Sequence, residues 1–189
     1  VAKLVLVKHA PPEITPSVAS PRWVLSEEGR GRCDWLAAQL ADLGVVELYA
    51  SLEPKALETA ALVGVHLGLE VRPRRDLQEN DRTELGFRPL DELRARIRRF
   101  FDEPTTLVLG RETAEAAGRR FETAVAALLA QAGDRTIAVI THGTALTTLV
   151  ARYNPIEPFA FWDSLTVPSC VPLDAATFRF DGPVRTFPA

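Results

Sequence analysis

The sequence predicts an α/β fold, a three-layer α/β/α sandwich around a mainly parallel sheet. Two observations predict it. Short apolar runs rich in branched side chains alternate with longer stretches of helical periodicity along the chain. Those runs, at residues 3–7 (KLVLV) and 136–141 (TIAVIT), show no polar alternation, as expected of strands buried on both faces.

Taken in order, residues 3–7 form the first strand and end in Lys8-His9. The stretch from Ala10 to Pro21 contains Pro11, Pro12, Pro16 and Pro21, so a loop must follow the strand, because proline removes a backbone donor and breaks helices. Ser26 is an N-cap, with Glu27 and Glu28 at the positive end of the helix dipole. Trp35, Leu36, Leu40 and Leu43 continue this helix at helical spacing up to Gly44. Val45 to Ala50 reads as the second strand. Pro54 opens the next helix, whose apolar face is Leu57, Ala61, Leu62 and Val65.

Residues 72–111 are rich in Arg, Asp and Glu, and Leu90, Leu93, Ile97, Phe100 and Phe101 mark one amphipathic helix among them. This segment is expected to be a helical insertion over one sheet edge, within a single domain spanning 1–189. Thr113 to Ala132 is a helix, Thr136 to Thr141 the third strand, and Thr144 to Arg152 a further helix. The tail, at Val171–Leu173 and Thr177–Phe180, is expected to add one or two edge strands.

With 189 residues, 47% of them hydrophobic, the chain can bury one full core without staples. Cys33 and Cys170 stand far apart, outside any CxxC or Cys/His cluster, so they suggest neither a zinc site nor a disulfide framework. The first ten residues do not read as a signal peptide, and no apolar run approaches the ~20 residues that span a bilayer. A cytoplasmic protein without membrane partners is the expectation. A formal net charge of −3 offers no general attraction to nucleic acid, so any bound anion must meet a local basic pocket. Lysine occurs only at Lys3, Lys8 and Lys55, which leaves arginine as 19 of the 22 basic residues.

Of three histidines, His9 and His142 each directly follow a buried strand, where a parallel sheet presents its ligand crevice. Two imidazoles at adjacent strand ends could converge on one ligand, or could simply finish two strands. His66 sits in a helix and reads as a surface residue.

Leu6-Val7-Lys8-His9-Ala10 resembles the strand-end RHG motif of the histidine phosphatase superfamily, the phosphoglycerate mutase-like fold, and Ile140-Thr141-His142-Gly143 resembles its second histidine motif. Between them, Ser51 to Ala60 (SLEPKALETA) resembles the S-x-x-x-R-A-x-(Q/E)-T-A helix start, and Leu77-Gln78-Glu79 the L-x-E that delivers an acid. The resemblance implies a phosphomonoester hydrolase of small phosphorylated substrates, needing neither metal nor other cofactor. It implies His9 as nucleophile, since an imidazole is largely unprotonated at neutral pH. Lys8, Lys55 and His142 become the cations around the phosphate. Glu79 becomes the group that protonates the leaving oxygen and then activates water. Thr15 or Ser17 could give a hydroxyl to the phosphate, and Gly143 belongs to the phosphate-binding set.

Two departures stand out. The family normally has arginine at the positions of Lys8 and Lys55, and glycine at that of Ala10. Arginine grips phosphate with a planar fork, whereas lysine supplies a compact point charge. A working phosphatase with a two-lysine pocket therefore stands beside a phosphate-binding relative with weakened catalysis, and beside phosphoglycerate mutase-type transfer. Arg94 and Arg98, on one helix face, could rim the crevice or form a solvated surface. Trp162, Asp163 and Ser169 could line the pocket. Serine hydrolase, P-loop and zincin motifs (GxSxG, GxxxxGK(S/T), HExxH) are absent, and full activity in chelator is the expectation.

Overall fold

The computed structural model describes residues 2–188. Its sheet has six strands: β1 (Lys3–Lys8), β2 (Glu47–Ser51), β3 (Val71–Arg74), β4 (Ile137–Thr141), β5 (Ser169–Asp174) and β6 (Arg185–Thr186). Their order is β3-β2-β4-β1-β5-β6. β3, β2, β4 and β1 pair in parallel, while β5 runs antiparallel to β1 and to β6, making the sheet mixed. Seven α-helices join these strands: α1 (Glu27–Gly31), α2 (Cys33–Asp42), α3 (Pro54–Leu67), α4 (Leu90–Asp102), α5 (Ala114–Ala132), α6 (Gly143–Tyr153) and α7 (Pro158–Ser164).

The branched runs form central strands because each side chain finds an apolar partner on whichever face it points to. Leu4, Leu6, Ile137 and Val139 pack with Phe121, Val125, Leu128, Leu146 and Leu149 of α5 and α6. Their neighbours Val5, Val7, Ala138 and Ile140 pack on the other face with Leu36, Leu40, Ala56, Ala60 and Val63 of α2 and α3. β1 and β4 lie side by side with Lys8 opposite Thr141, so the next residue of each strand is a histidine at the same height. The His9 N–H donates to the Thr141 carbonyl at 3.1 Å, extending the ladder to that point.

Several elements differ from the sequence expectation. The helix read from Ser26 to Gly44 is broken at Arg32 into α1 and α2. Ser26 does cap α1, accepting the Gly29 N–H at 3.0 Å, and its hydroxyl also donates to the Pro11 carbonyl. Gly29 must be glycine here, since a Cβ would lie 2.1 Å from the Pro11 oxygen. The short α1 thus clamps the loop that leaves His9. β3 was not anticipated within the charged stretch. Its sequence, VRPR, shows no apolar pattern, and its proline is tolerated on an edge strand. α4 buries Ile97 and Phe100 against Phe159 of α7 and Ala114 and Ala117 of α5, rather than against a sheet edge.

The tail also departs from the expectation of edge strands. β5 is interior, between β1 and β6, and Thr177–Phe180 is mostly turn. There the Asp174 carboxylate accepts the Thr177 N–H and hydroxyl, and only Phe180 bridges to Leu173. Cys33 and Cys170 are buried free thiols. No helix among the described residues is long and apolar enough to cross a membrane.

Candidate active site

The β1–β4 register brings the two strand-end histidines together. The His9 and His142 rings meet edge to face with centroids 5.1 Å apart. Both line one cavity together with Lys8, Lys55, Glu79 and Gly143. Six of the eight residues named from the sequence therefore share a single hollow. Thr15 and Ser17 are the exceptions, because they do not line it. The loop folds instead into a turn in which the Val18 N–H and the Trp23 indole donate to the Thr15 carbonyl, and Ser17 faces solvent. The loop's contributions to the cavity are Pro12, Val18, Ser20 and Pro21.

His9 is buried, with Nδ1 at 2.8 Å from the Ala10 carbonyl. A carbonyl can only accept, so this contact places the ring proton on Nδ1 and the lone pair on Nε2. Burial, reinforced by His142 and Lys55, holds the ring well below the usual histidine pKa, hence neutral. Ala10, in place of the family's glycine, is fully buried, and its N–H donates to Thr59 Oγ1 at 3.1 Å.

His142 is held neutral as well, chiefly by burial and then by Lys55, against the opposing pull of Glu79. This corrects the expectation that it is a cation in the free protein; it offers a ring N–H instead. Its Nε2 lies 2.9 Å from Ser51 Oγ and 3.5 Å from Glu53 Oε1, while its buried Nδ1 has no partner. When the Ser51 hydroxyl donates to Nε2, the single ring proton sits on Nδ1, where an anion in the cavity would receive it.

The two lysines are anchored differently. Lys55 Nζ donates to the Ser20 carbonyl at 2.8 Å and to Glu53 Oε2 at 2.5 Å, which leaves one of its three N–H groups. Lys8 Nζ donates to the Leu165 carbonyl at 2.7 Å and lies 5.6 Å from the Trp162 ring centre, keeping two. Burial lowers Lys8 to a pKa of about 8, although Glu79 and Asp163 favour the charged form. The protonated ammonium is the form that attracts phosphate, and it is lost above that pH. Accordingly kcat/KM, which already declines above about pH 6 as the ester's monoanion gives way to the dianion, should fall by a further factor towards ten per pH unit above pH 8. Lys8→Arg, which stays charged, should remove that limb in a pH–rate profile.

Glu79 sits at the amino end of α6, accepting the Thr144 and Ala145 N–H groups at 3.2 and 2.9 Å, and pairing with Arg82 at 2.7 Å. Burial works to raise its pKa. Arg82, His142 and the Thr144 bonds outweigh this and hold it at about 2. In the free protein Glu79 is therefore a carboxylate, which must take up a proton before it can give one to a leaving oxygen.

Sequence reasoning missed Arg82, Glu53 and Ser51. Arg82 bridges Glu79 and Thr144 Oγ1, the latter at 2.7 Å, but it lies in a segment without periodicity where many arginines look alike. Glu53 falls on an unspecified position of the S-x-x-x-R pattern; a carboxylate two residues before Lys55 was the available signal. Its Oε1 accepts the Glu79 N–H at 3.0 Å, so it joins the Lys55 and Glu79 halves of the site. Glu53→Gln should lower the melting temperature by about 10 °C, because it strands a buried ammonium. Millimolar inorganic phosphate should restore most of that loss in a thermal melt.

Of the remaining sequence candidates, Trp162 alone lines the cavity. His66 pairs with Asp34 at 2.7 Å on the surface. Arg94 is held by both Asp163 oxygens, and Arg98 stacks 3.8 Å from the Phe159 ring centre. Ser169 does not line the cavity, whereas Trp162 does. Gly143 has a steric reason to be glycine: a Cβ would come within 2.9 Å of Trp162 Nε1 and 3.3 Å of Lys8 Cε. Among the described residues no group of three or more His, Cys, Asp or Glu could hold a metal ion.

Comparison with known proteins agrees with the fold. The family description "Histidine phosphatase superfamily (branch 1)" matches residues 4–172. A search of curated proteins finds no match. Among solved structures, mycobacterial glucosyl-3-phosphoglycerate phosphatase superposes with a TM-score of 0.79 at 20% identity over 100% of both chains. Bacillus stearothermophilus YhfR gives 0.74 at 21% identity over 96% of each chain. Entamoeba histolytica phosphoserine phosphatase gives 0.74 at 17% identity, covering 92% of this chain and 91% of that one. At these identities the structures show a shared fold.

Proposed function

Because the chain belongs to the histidine phosphatase superfamily, branch 1, we propose that it hydrolyses small phosphomonoesters through a phosphohistidine on His9, without a metal. We read residues 1–189 as one three-layer domain with the segment at about 72–111 inserted. The observation that carries the proposal is the orientation of His9: its Nδ1 is tied to the Ala10 carbonyl and its Nε2 is left for attack, in a cavity shared with two ammonium groups.

A phosphate monoester monoanion enters between Lys8 and Lys55 and receives the His142 ring N–H. Its remaining proton passes to Glu79, whose carboxyl rises in pKa beside the resulting dianion. His9 Nε2 attacks phosphorus, the P–O bond to the leaving group breaks, and Glu79 returns the proton to the departing oxygen. The alcohol leaves and phosphohistidine remains. The Ala10 carbonyl stabilises the charge that develops on the ring. Glu79, again a carboxylate, then takes a proton from water, the hydroxide displaces His9, Glu79 passes the proton to the phosphate, and inorganic phosphate departs as its monoanion. The lysines and Arg82 offset charge on the transferring group throughout.

Phosphate release from a generic aryl phosphate, with and without chelator, tests this reading; equal rates are expected. The Glu53–Lys55 pair favours a second reading, because it ties up half of the cationic pair. In a phosphate-binding relative with weakened catalysis, wild type would release nothing, and Lys8→Arg plus Lys55→Arg would restore release.

A further inference from the structure

The cavity continues beyond the phosphate hollow, and its two ends differ in chemistry. The inner end is made by buried His9, Glu53, Lys55 and His142. The more exposed residues of its lining, the outer end, are Val18, Trp23, Leu85, Phe87, Leu93 and Trp162, with Gly86 and Arg88. We infer that this outer end takes an uncharged, apolar leaving group of aromatic size, so that the substrate class is the phosphate ester of a hydrophobic alcohol or phenol. The inference rests on the phosphatase reading for the word substrate, and on the cavity walls alone for the preference among ligands.

Three observations point the same way. First, Trp23 presents carbon rather than a donor, because its indole N–H is already committed to the Thr15 and Val18 carbonyls at 3.1 and 2.9 Å. Second, Phe87 is 45% exposed, an aromatic ring at the mouth that a ligand would cover. Third, few cations near the outer end could hold a second anionic group: Arg82 is held by Glu79, Arg94 by Asp163, and Arg98 stacks on Phe159, which leaves the exposed Arg88 at the mouth, 3.5 Å from Glu92. A carboxylate on the leaving group would meet that one solvated arginine, a pairing that water largely screens. An apolar ring would remove its own surface and that of Phe87 from water.

The test uses three phosphonates that cannot be hydrolysed, phenylpropylphosphonate, ethylphosphonate and phosphonopropionate, titrated calorimetrically into the whole protein. Phenylpropylphosphonate should bind roughly 10- to 100-fold more tightly than ethylphosphonate, and phosphonopropionate no more tightly than ethylphosphonate. Phe87→Ser, a change at an exposed position, should reduce the phenylpropyl advantage about 3- to 10-fold and leave ethylphosphonate affinity within twofold. Equal affinities, or phosphonopropionate as the tightest ligand, would overturn the inference. The corresponding phosphate esters, assayed for phosphate release, separate the two ideas. Selective binding without any turnover keeps this ligand class and removes the phosphatase reading. Turnover of all three esters at one kcat/KM removes the ligand class and keeps the phosphatase.

Discussion

His9→Ala should abolish phosphate release from every monoester, a loss of at least about 10³-fold in kcat, because a covalent route has no substitute for its nucleophile. The same variant should take up no acid-labile, base-stable phosphate from an aryl phosphate, whereas wild type should carry up to one phosphate per chain. His9 is held neutral, so wild-type turnover should persist below the ordinary histidine pKa. The variant removes one hydrogen bond to the Ala10 carbonyl. Circular dichroism should therefore show an unchanged fold, which ties the loss to chemistry. Labelling of the alanine variant equal to wild type would show that phosphate reaches some other residue.

Glu79→Gln should lower turnover about 10²- to 10⁴-fold, the range expected for a general acid–base group. The amide keeps an oxygen for the Thr144 and Ala145 N–H groups, so the amino end of α6 stays capped. What disappears is the ability to accept and return a proton. The two tasks of Glu79 separate by leaving group. An aryl phosphate, whose phenolate departs without a proton, should still give a rapid burst of phenol near one equivalent, followed by slow hydrolysis of the trapped phosphohistidine. An alkyl phosphate should show no burst, since its alkoxide needs the proton that glutamine cannot supply. Equal slowing of both, without a burst, would move the base for the second step to another residue.

The low pKa of Glu79, about 2, is a property that letters alone do not carry. Leu77-Gln78-Glu79 marks where an acidic side chain belongs. Its charge state follows from the N-terminal N–H groups of α6, sixty-five residues onward, and from Arg82. His142 was misjudged for the same kind of reason, since its positive charge looked plausible until burial beside Lys55 was seen to oppose it. Thr15 and Ser17 failed differently: their hydroxyls suit phosphate, but the Thr15–Val18 turn aims the loop so that other residues enter the cavity.

By itself, the sequence determined the central strands, the helices that follow them and the place of His9 and His142 at two strand ends. These depend on local apolar pattern and on the rule that parallel strands end on the same side of a sheet. Their information lies in consecutive residues. Tertiary structure alone decided the edge strand β3, the interior place of β5, the Glu53–Lys55 pair, the ionised Glu79 and the apolar outer wall. Each of these depends on groups distant in the chain, brought within a few ångströms where desolvation and short-range Coulomb forces set charge and contact. No periodicity along the chain encodes such distances.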